Sequence, residues 1–207
     1  SLITIYENCI DCLLAKSIIE YKKNPNIAFE YLFKAFKSNA NTIEAIPFSK
    51  TKFDIDCAVP ATAFFENQYE ILNTAEDFTA LGKMVDWLLM TNLSPKYYLK
   101  SCSIKTNYVN TYLLAKCFFE SKNYNNALQY CNKCLQEKPT FEEAKALKTN
   151  TLIELKKYKE ALAVANDLVN QNPYNPENYT IRGKIYTKLK NNTKAKQDLE
   201  TAKSKML

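Results

Sequence analysis

Ala127, Ala161 and Ala195 stand 34 residues apart, each inside a stretch whose apolar residues recur with a helical period. The neighbours keep the same phase. Tyr124 and Tyr158 precede the first two alanines by three residues, Leu128 and Leu162 follow directly, and Pro139 and Pro173 close those copies twelve residues on. One inserted or deleted residue would break the agreement. A period of this length describes two antiparallel helices that cannot bury their apolar face alone and must stack on the next pair. The predicted class is therefore all-α, a solenoid of helical hairpins.

The last hundred residues carry the pattern most plainly. Helices are predicted over roughly 107–121 and 124–137, 141–156 and 158–170, and 177–190 and 192–205. The polar turns SKNYNN, KKYK and KNNT join them within pairs. With Tyr108, Glu142 and Pro176 as first positions, three tandem units run 108–141, 142–175 and 176–207. Residues 1–48 read as degenerate pairs of the same kind. A helix over 3–22 sets Ile10, Leu13, Leu14, Ile18 and Ile19 on one face, and Asn24, Pro25 and Asn26 break it. A second helix follows over 27–38, in which Ala28, Leu32 and Ala35 take the offsets of Ala127, Cys131 and Cys134. Residues 43–48 begin a further helix that Pro47 stops.

Between 49 and 106 the array is irregular. Residues 49–60 read as a loop whose last residue, Pro60, opens a helix to about residue 73. An amphipathic helix is expected over 77–90, with Trp87 on its apolar face. Ser94 and Pro95 then supply the N-cap and first-turn proline of a short helix ending at Cys102. Counting 34 back from Tyr108 places one worn unit at 74–107, with Leu93 where the alanine should be.

These residues resemble the tetratricopeptide repeat family, strongly over the second half and weakly before it. The resemblance implies a right-handed superhelix of hairpins with a concave groove. The family's small eighth position falls on Ala115, Thr149 and Gly183, and its bulky eleventh on Phe118, Leu152 and Tyr186. Its twentieth is the alanine series; its twenty-fourth is Cys131, Ala165 and Leu199, and its twenty-seventh Cys134, Leu168 and Ala202. The aromatic of the fourth position survives only as Tyr179, with Thr111 and Lys145 in the other copies.

Composition narrows the chemistry. Without a histidine there is no Ser/His/Asp or Cys/His nucleophile system, and with only two glycines, Gly82 and Gly183, no glycine-rich phosphate loop. We expect no enzyme, no cofactor and no metal. Cys9-x-x-Cys12 and Cys131-x-x-Cys134 have the spacing of a zinc site. They lie about 120 residues apart, several stacked pairs along, and the second pair occupies positions that hold Ala165, Leu168, Leu199 and Ala202 elsewhere. Core packing by small thiols is the expected role. Seven cysteines, an odd number outside a short secreted framework, fit a reducing compartment, so cytoplasm or nucleus is expected. No apolar run reaches membrane-spanning length. The chain opens without Met, as a fragment or processed chain would, and its 27 lysines against one arginine point to an AT-rich genome.

The expected work is protein binding, as an adaptor or as a subunit of a larger assembly. Large assemblies built on such repeats, the anaphase-promoting ubiquitin ligase among them, share interrupted arrays of this kind by architecture alone. In phase, the groove is lined by Tyr112, Lys116 and Phe119, then Ala146, Asn150 and Ile153, then Thr180, Lys184, Thr187 and Lys188. This mixture suits a peptide or helix of some acidic character. The clamp that relatives use on heat-shock chaperone tails is not matched, since Tyr112, Lys116, Leu147, Glu177 and Ile181 stand at its positions. The whole +6 charge sits in residues 182–207, which hold eight basic and two acidic side chains. A second reading is therefore RNA binding through the basic last pair, with Lys184, Lys188 and Lys194; separately, Tyr97 and Tyr98, one of them expected to be exposed, stand beside Lys96 and Lys100 as rings able to stack bases on a basic strip. The last pair keeps Ala195, Leu199 and Ala202 inward and is otherwise polar, as a capping unit needs, while stacking of repeats offers a route to self-association.

Overall fold

The structure is a computed structural model that describes residues 10–21, 23–41, 58–88, 90 and 92–206. Among these, the helices are α1 (Ile10–Tyr21), α2 (Pro25–Ser38), α3 (Ala58–Ile71), α4 (Ala75–Trp87), α5 (Ser94–Ile104), α6 (Tyr108–Glu120), α7 (Tyr124–Glu137), α8 (Glu142–Glu154), α9 (Tyr158–Gln171), α10 (Pro176–Lys188) and α11 (Asn192–Lys205), with no strand. They group into two compact units, Ser1–Leu113 and Leu114–Leu207, and α6 crosses the boundary. The predicted start of the first helix at residues 3–9, the short helix at 43–48 and most of the 49–60 loop lie outside the described residues. Among the described residues no helix is long and apolar enough to cross a membrane.

In the first unit, α1 pairs with α2 and α4 with α5, while α4 also packs on α2. Ala28, Leu32 and Ala35 are fully buried on α2, so the offset pattern there reports real packing. Ile19 departs from its predicted face: it is 61% exposed, and Ser17 takes the buried place on α1, its hydroxyl donating to Leu14 O at 2.7 Å. The inserted helix α3 fills the core with rings. Phe64 meets Phe29 at 5.7 Å, Phe65 meets Tyr97 at 5.9 Å, and Tyr69 meets Phe78 at 5.3 Å. Rings of this size bury large apolar area with few rotamers to fix.

The α4/α5 pair runs one residue out of the expected phase. Gly82 is the close-approach position, because a Cβ there would lie 2.5 Å from the Tyr98 ring. Counting from Gly82, the small buried residue on the second helix is Ser94, not Leu93. Ser94 is also not the N-cap. Leu93 holds that place without a side-chain cap, and the Ser94 hydroxyl instead donates to Asp86, which accepts from Tyr98 Oη at 2.7 Å as well. Tyr97 and Tyr98 are both buried, at 2% and 0% exposure, because α3 covers one flank of α5 and α4 the other. The expectation of one exposed ring fails for that reason.

In the second unit, the paired helices α8/α9 and α10/α11 and the successive contacts of α7 with α8 and α9 with α10 form a continuous stack. Ala127, Cys131, Cys134, Ala161, Ala165 and Leu168 are all fully buried, and Ala195 and Ala202 nearly so. Thus the three alanines share one environment. Leu199 is the exception, 40% exposed on the last helix and resting on Gly183, whose Cβ would lie 3.3 Å from Leu199 Cγ.

Each hairpin turns by the same device. Lys122, Lys156 and Lys190 have φ of 61°, 60° and 59°, the left-handed residue that ends a helix in a Schellman turn. The paired hydrogen bonds are present each time: Lys122 N to Phe119 O with Asn123 N to Phe118 O, Lys156 N to Ile153 O with Lys157 N to Leu152 O, and Lys190 N to Thr187 O with Asn191 N to Tyr186 O. Asn123 and Asn191 then serve as N-caps of the following helices, accepting from Asn126 N and Lys194 N. Lys157 occupies the same place on α9 and offers no side-chain cap.

Candidate functional site

The expected groove stripe follows the first helices of the pairs in the second unit. On α8 and α10 it comprises Ala146, Asn150 and Ile153, then Thr180, Lys184, Thr187 and Lys188. Lys116 and Phe119 continue it on the last turns of α6. Ala146, Asn150, Ile153 and Thr180 are half-buried, whereas Lys184, Thr187 and Lys188 are exposed. Ala146 and Ile153 also lean on the core formed by Leu152, Ala161, Ala165, Ile181 and Ile185. Phe119 is half-buried with its ring edge-on to Tyr124 at 5.6 Å. Thr180 and Thr187 turn their hydroxyls onto Pro176 O and Gly183 O of their own helix. Lys116 pairs with Glu120 at 3.8 Å in the exposed i,i+4 manner that contributes little. What stays open for a partner is chiefly the Asn150 amide and the Lys184 and Lys188 ammonium groups. Tyr112 belongs to the first unit and is half-buried there.

The stripe is held rigid by polar links between successive pairs. The Glu142 carboxylate, at the start of α8, accepts from Asn175 Nδ2 at 2.6 Å and from Asn172 and Asn178 Nδ2 at 3.0 Å. Burial pushes this carboxyl up, but the three amide bonds, with Lys145 beside them, outweigh it and hold the group below the usual glutamate range. Buried Asn178 reaches back to Leu168 O and Asn172 O at 3.3 Å, and buried Asn110, two periods earlier, does the same to Lys105 O at 2.8 Å. Both reach carbonyls at the end of the preceding helix. Arg182 grips Asp198 with two bonds of 2.8 Å and Asn166 with a third of 3.2 Å, tying α10 to both neighbours. The fourth-position departures are explained too. Lys145 spans to Asp167 and Gln171, and Thr111 donates to Asn107 O at 2.7 Å.

Burial pushes the Cys131 and Cys134 thiols up to about 12, with the charge of Cys134 adding to the effect on Cys131 and that of Glu137 to the effect on Cys134. Among the described residues no cluster of three or more Cys, Asp or Glu side chains could hold a metal ion. Ile181, one of the chaperone-clamp positions, is a core residue at 3% exposure. The turn lysines were not picked out by the groove argument, although their own 34-residue spacing was the available signal.

Residues 95–168 match the family model described as anaphase-promoting complex, cyclosome, subunit 3, and residues 176–204 match the tetratricopeptide repeat model. Among curated protein sequences none matches the chain. The fold is similar to a crystal structure of MamA (TM-score 0.65, 15% identity, covering 70% of this chain and 86% of that one). It is similar also to YrrB, described as a TPR protein with an unusual peptide-binding site (TM-score 0.62, 14% identity, 99% and 90%). A third is MamA from Desulfovibrio magneticus RS-1 (TM-score 0.60, 19% identity, 63% and 75%). At these identities the structures speak for the fold. Together with the buried alanine series and the repeated hairpin turn, the two sequence matches show that the chain belongs to the tetratricopeptide repeat family.

Proposed function

We propose that the chain is a non-enzymatic interaction scaffold, a subunit of a multiprotein complex, whose second unit binds a peptide or helix along the α8 and α10 stripe. The observation that supports this reading is the exposure of Lys184 and Lys188, which would meet acidic side chains, in phase with half-buried Asn150, whose amide would bond a peptide backbone. The match of residues 95–168 to a subunit model of a large ubiquitin ligase supports the complex, and the peptide-binding description of YrrB supports the mode. A reducing compartment, cytoplasm or nucleus, is the setting we assign. The test is a photocrosslinking amino acid placed at Asn150 or Lys184 in the full chain, in its native cells. A discrete protein adduct is expected from both positions and none from Lys133 on α7. Equal labelling from Lys133, or no adduct at all, would sink the groove assignment.

A further inference from the structure

Charge divides along the unit boundary. Residues 114–207 carry 17 basic and 10 acidic side chains, a net of +7, and residues 1–113 carry 11 and 12, a net of −1. The second unit is polarised in turn. Its helices alternate in direction, and α8 touches α10, so every within-pair turn falls on one edge and every between-pair connection on the other. The turn edge, residues 120–126, 154–160 and 188–194, holds seven lysines against three glutamates. The opposite edge, residues 137–143, 171–177 and the end of α11 at 203–206, holds three lysines against four glutamates. All seven lysines, Lys122, Lys156, Lys157, Lys159, Lys188, Lys190 and Lys194, are exposed. Two of the three glutamates are already engaged, Glu120 with Lys116 at 3.8 Å and Glu160 with Lys157 at 3.7 Å.

The helix dipole accounts for the glutamates that start α8 and α10 and for Lys188 in the last turn of α10, but not for every lysine of the turn edge. Glu142, Glu143 and Glu177 sit in the first turns of α8 and α10, where the helix dipole favours them. Lys159 and Lys194 sit in the first turns of α9 and α11, where the same dipole disfavours them. Lys122, Lys156 and Lys190 occupy left-handed backbone that glycine or asparagine would hold at lower cost. A lysine-rich genome would load both edges alike. Two independent penalties borne by lysines of this one edge fit a surface kept for binding.

We infer that the turn edge of the second unit is a docking strip for an acidic protein segment, separate from the groove. Rows of carboxylates complement closely set, solvent-exposed ammonium groups, which act as point charges without planar selectivity. A nucleic acid is the poorer fit, because the tyrosines at this edge, Tyr124 and Tyr158, are half-buried in the hairpin packing and form no open stacking platform.

The probes are a fluorescent oligo-glutamate peptide and a single-stranded oligonucleotide of equal charge, titrated into the full chain at low and physiological ionic strength. A K156E/K159E/K190E variant reverses the strip, and a K133E/K203E/K205E variant makes the same change in net charge away from it. Both leave Lys184 and Lys188 in place, so the groove assignment stands or falls separately. The peptide is expected to bind with an affinity that falls as salt rises. The strip variant should lose roughly tenfold or more and the control variant little. No binding of the peptide, equal losses in both variants, or tighter strip-dependent binding of the oligonucleotide overturns the inference. Far-UV circular dichroism of both variants certifies that the helices persist.

Discussion

The two units build the same hairpin by opposite means. In the second, small residues recur at fixed places, so backbones approach over Ala127, Cys131 and Cys134 and again over Ala161, Ala165 and Leu168. In the first, Gly82 opens one deep gap that the Tyr98 ring fills, and an added helix supplies Phe64 and Phe65 to pack the remainder. The first solution distributes tolerance over many equivalent contacts. The second concentrates it in one. Close-packed interiors punish added volume in proportion to how little the neighbours can give.

The sharpest way to break this contrast is a methyl group at each glycine. Gly82→Ala drives a Cβ into a ring that is fully buried and tethered to Asp86, and should cost about 2–3 kcal/mol in chemical denaturation. Gly183→Ala meets Leu199, which is partly exposed and able to shift, comes no nearer than 3.4 Å to Ala195 O, and gains helix propensity, so the midpoint should hold or rise. Equal losses would show that the two contacts are equivalent after all.

Next in size is the Glu142 latch, which has no counterpart at Tyr108. Glu142→Gln removes the charge from three amide bonds and should cost about 1–2 kcal/mol at neutral pH. Because the folded carboxyl lies below its ordinary range, its contribution is full above that range. It fades as pH falls from about 4.3 through the depressed value. The wild-type advantage over Glu142→Gln should therefore shrink in acid, and an advantage independent of pH would refute the latch. Smaller still, Lys156→Gly relieves left-handed strain while adding unfolded-state freedom, for a net gain of about 0.5 kcal/mol. Last, alkylation kinetics at pH 8 should leave Cys131 and Cys134 unlabelled in the native state and label both in denaturant.

What the sequence disclosed follows the same division. In the second unit each helix lies within a few residues of its predicted place, because every pair repeats one phase and spacing alone fixes it. In the first unit the rule was counted one residue out. Spacing from Tyr108 pointed to Leu93, whereas the contact itself, Gly82 on Tyr98, puts Ser94 in the small position. Ser94 and Pro95 looked like a cap signal, but the hydroxyl is spent on Asp86, a partner eight residues upstream that no local pattern reveals. Tyr97 and Tyr98 defeated the argument that adjacent residues cannot both be inside, since α3 supplies a second wall. The groove stripe was readable as a phase. Its open members were not, because the outward threonines bond their own helix and Ile153 leans on the core. Asn110 and Asn178, 68 residues apart, were readable in principle as two periods of the same residue.

In the first and third hairpins of the tandem array, the residue that completes the Schellman turn also caps the next helix, Asn123 in one and Asn191 in the other. One residue thus closes two helix ends, its backbone N–H the first and its side chain the second, and the linkage between them has no slack. An extra residue there would undo both closures together, whereas among the described residues the connections from one hairpin to the next lack the left-handed turn that fixes this linkage. It is in one of those, between α2 and α4, that the chain accommodates α3. New segments grafted into this protein should accordingly survive at residues 138–141 and fail at 121–123, a constraint on where the architecture can be lengthened at all.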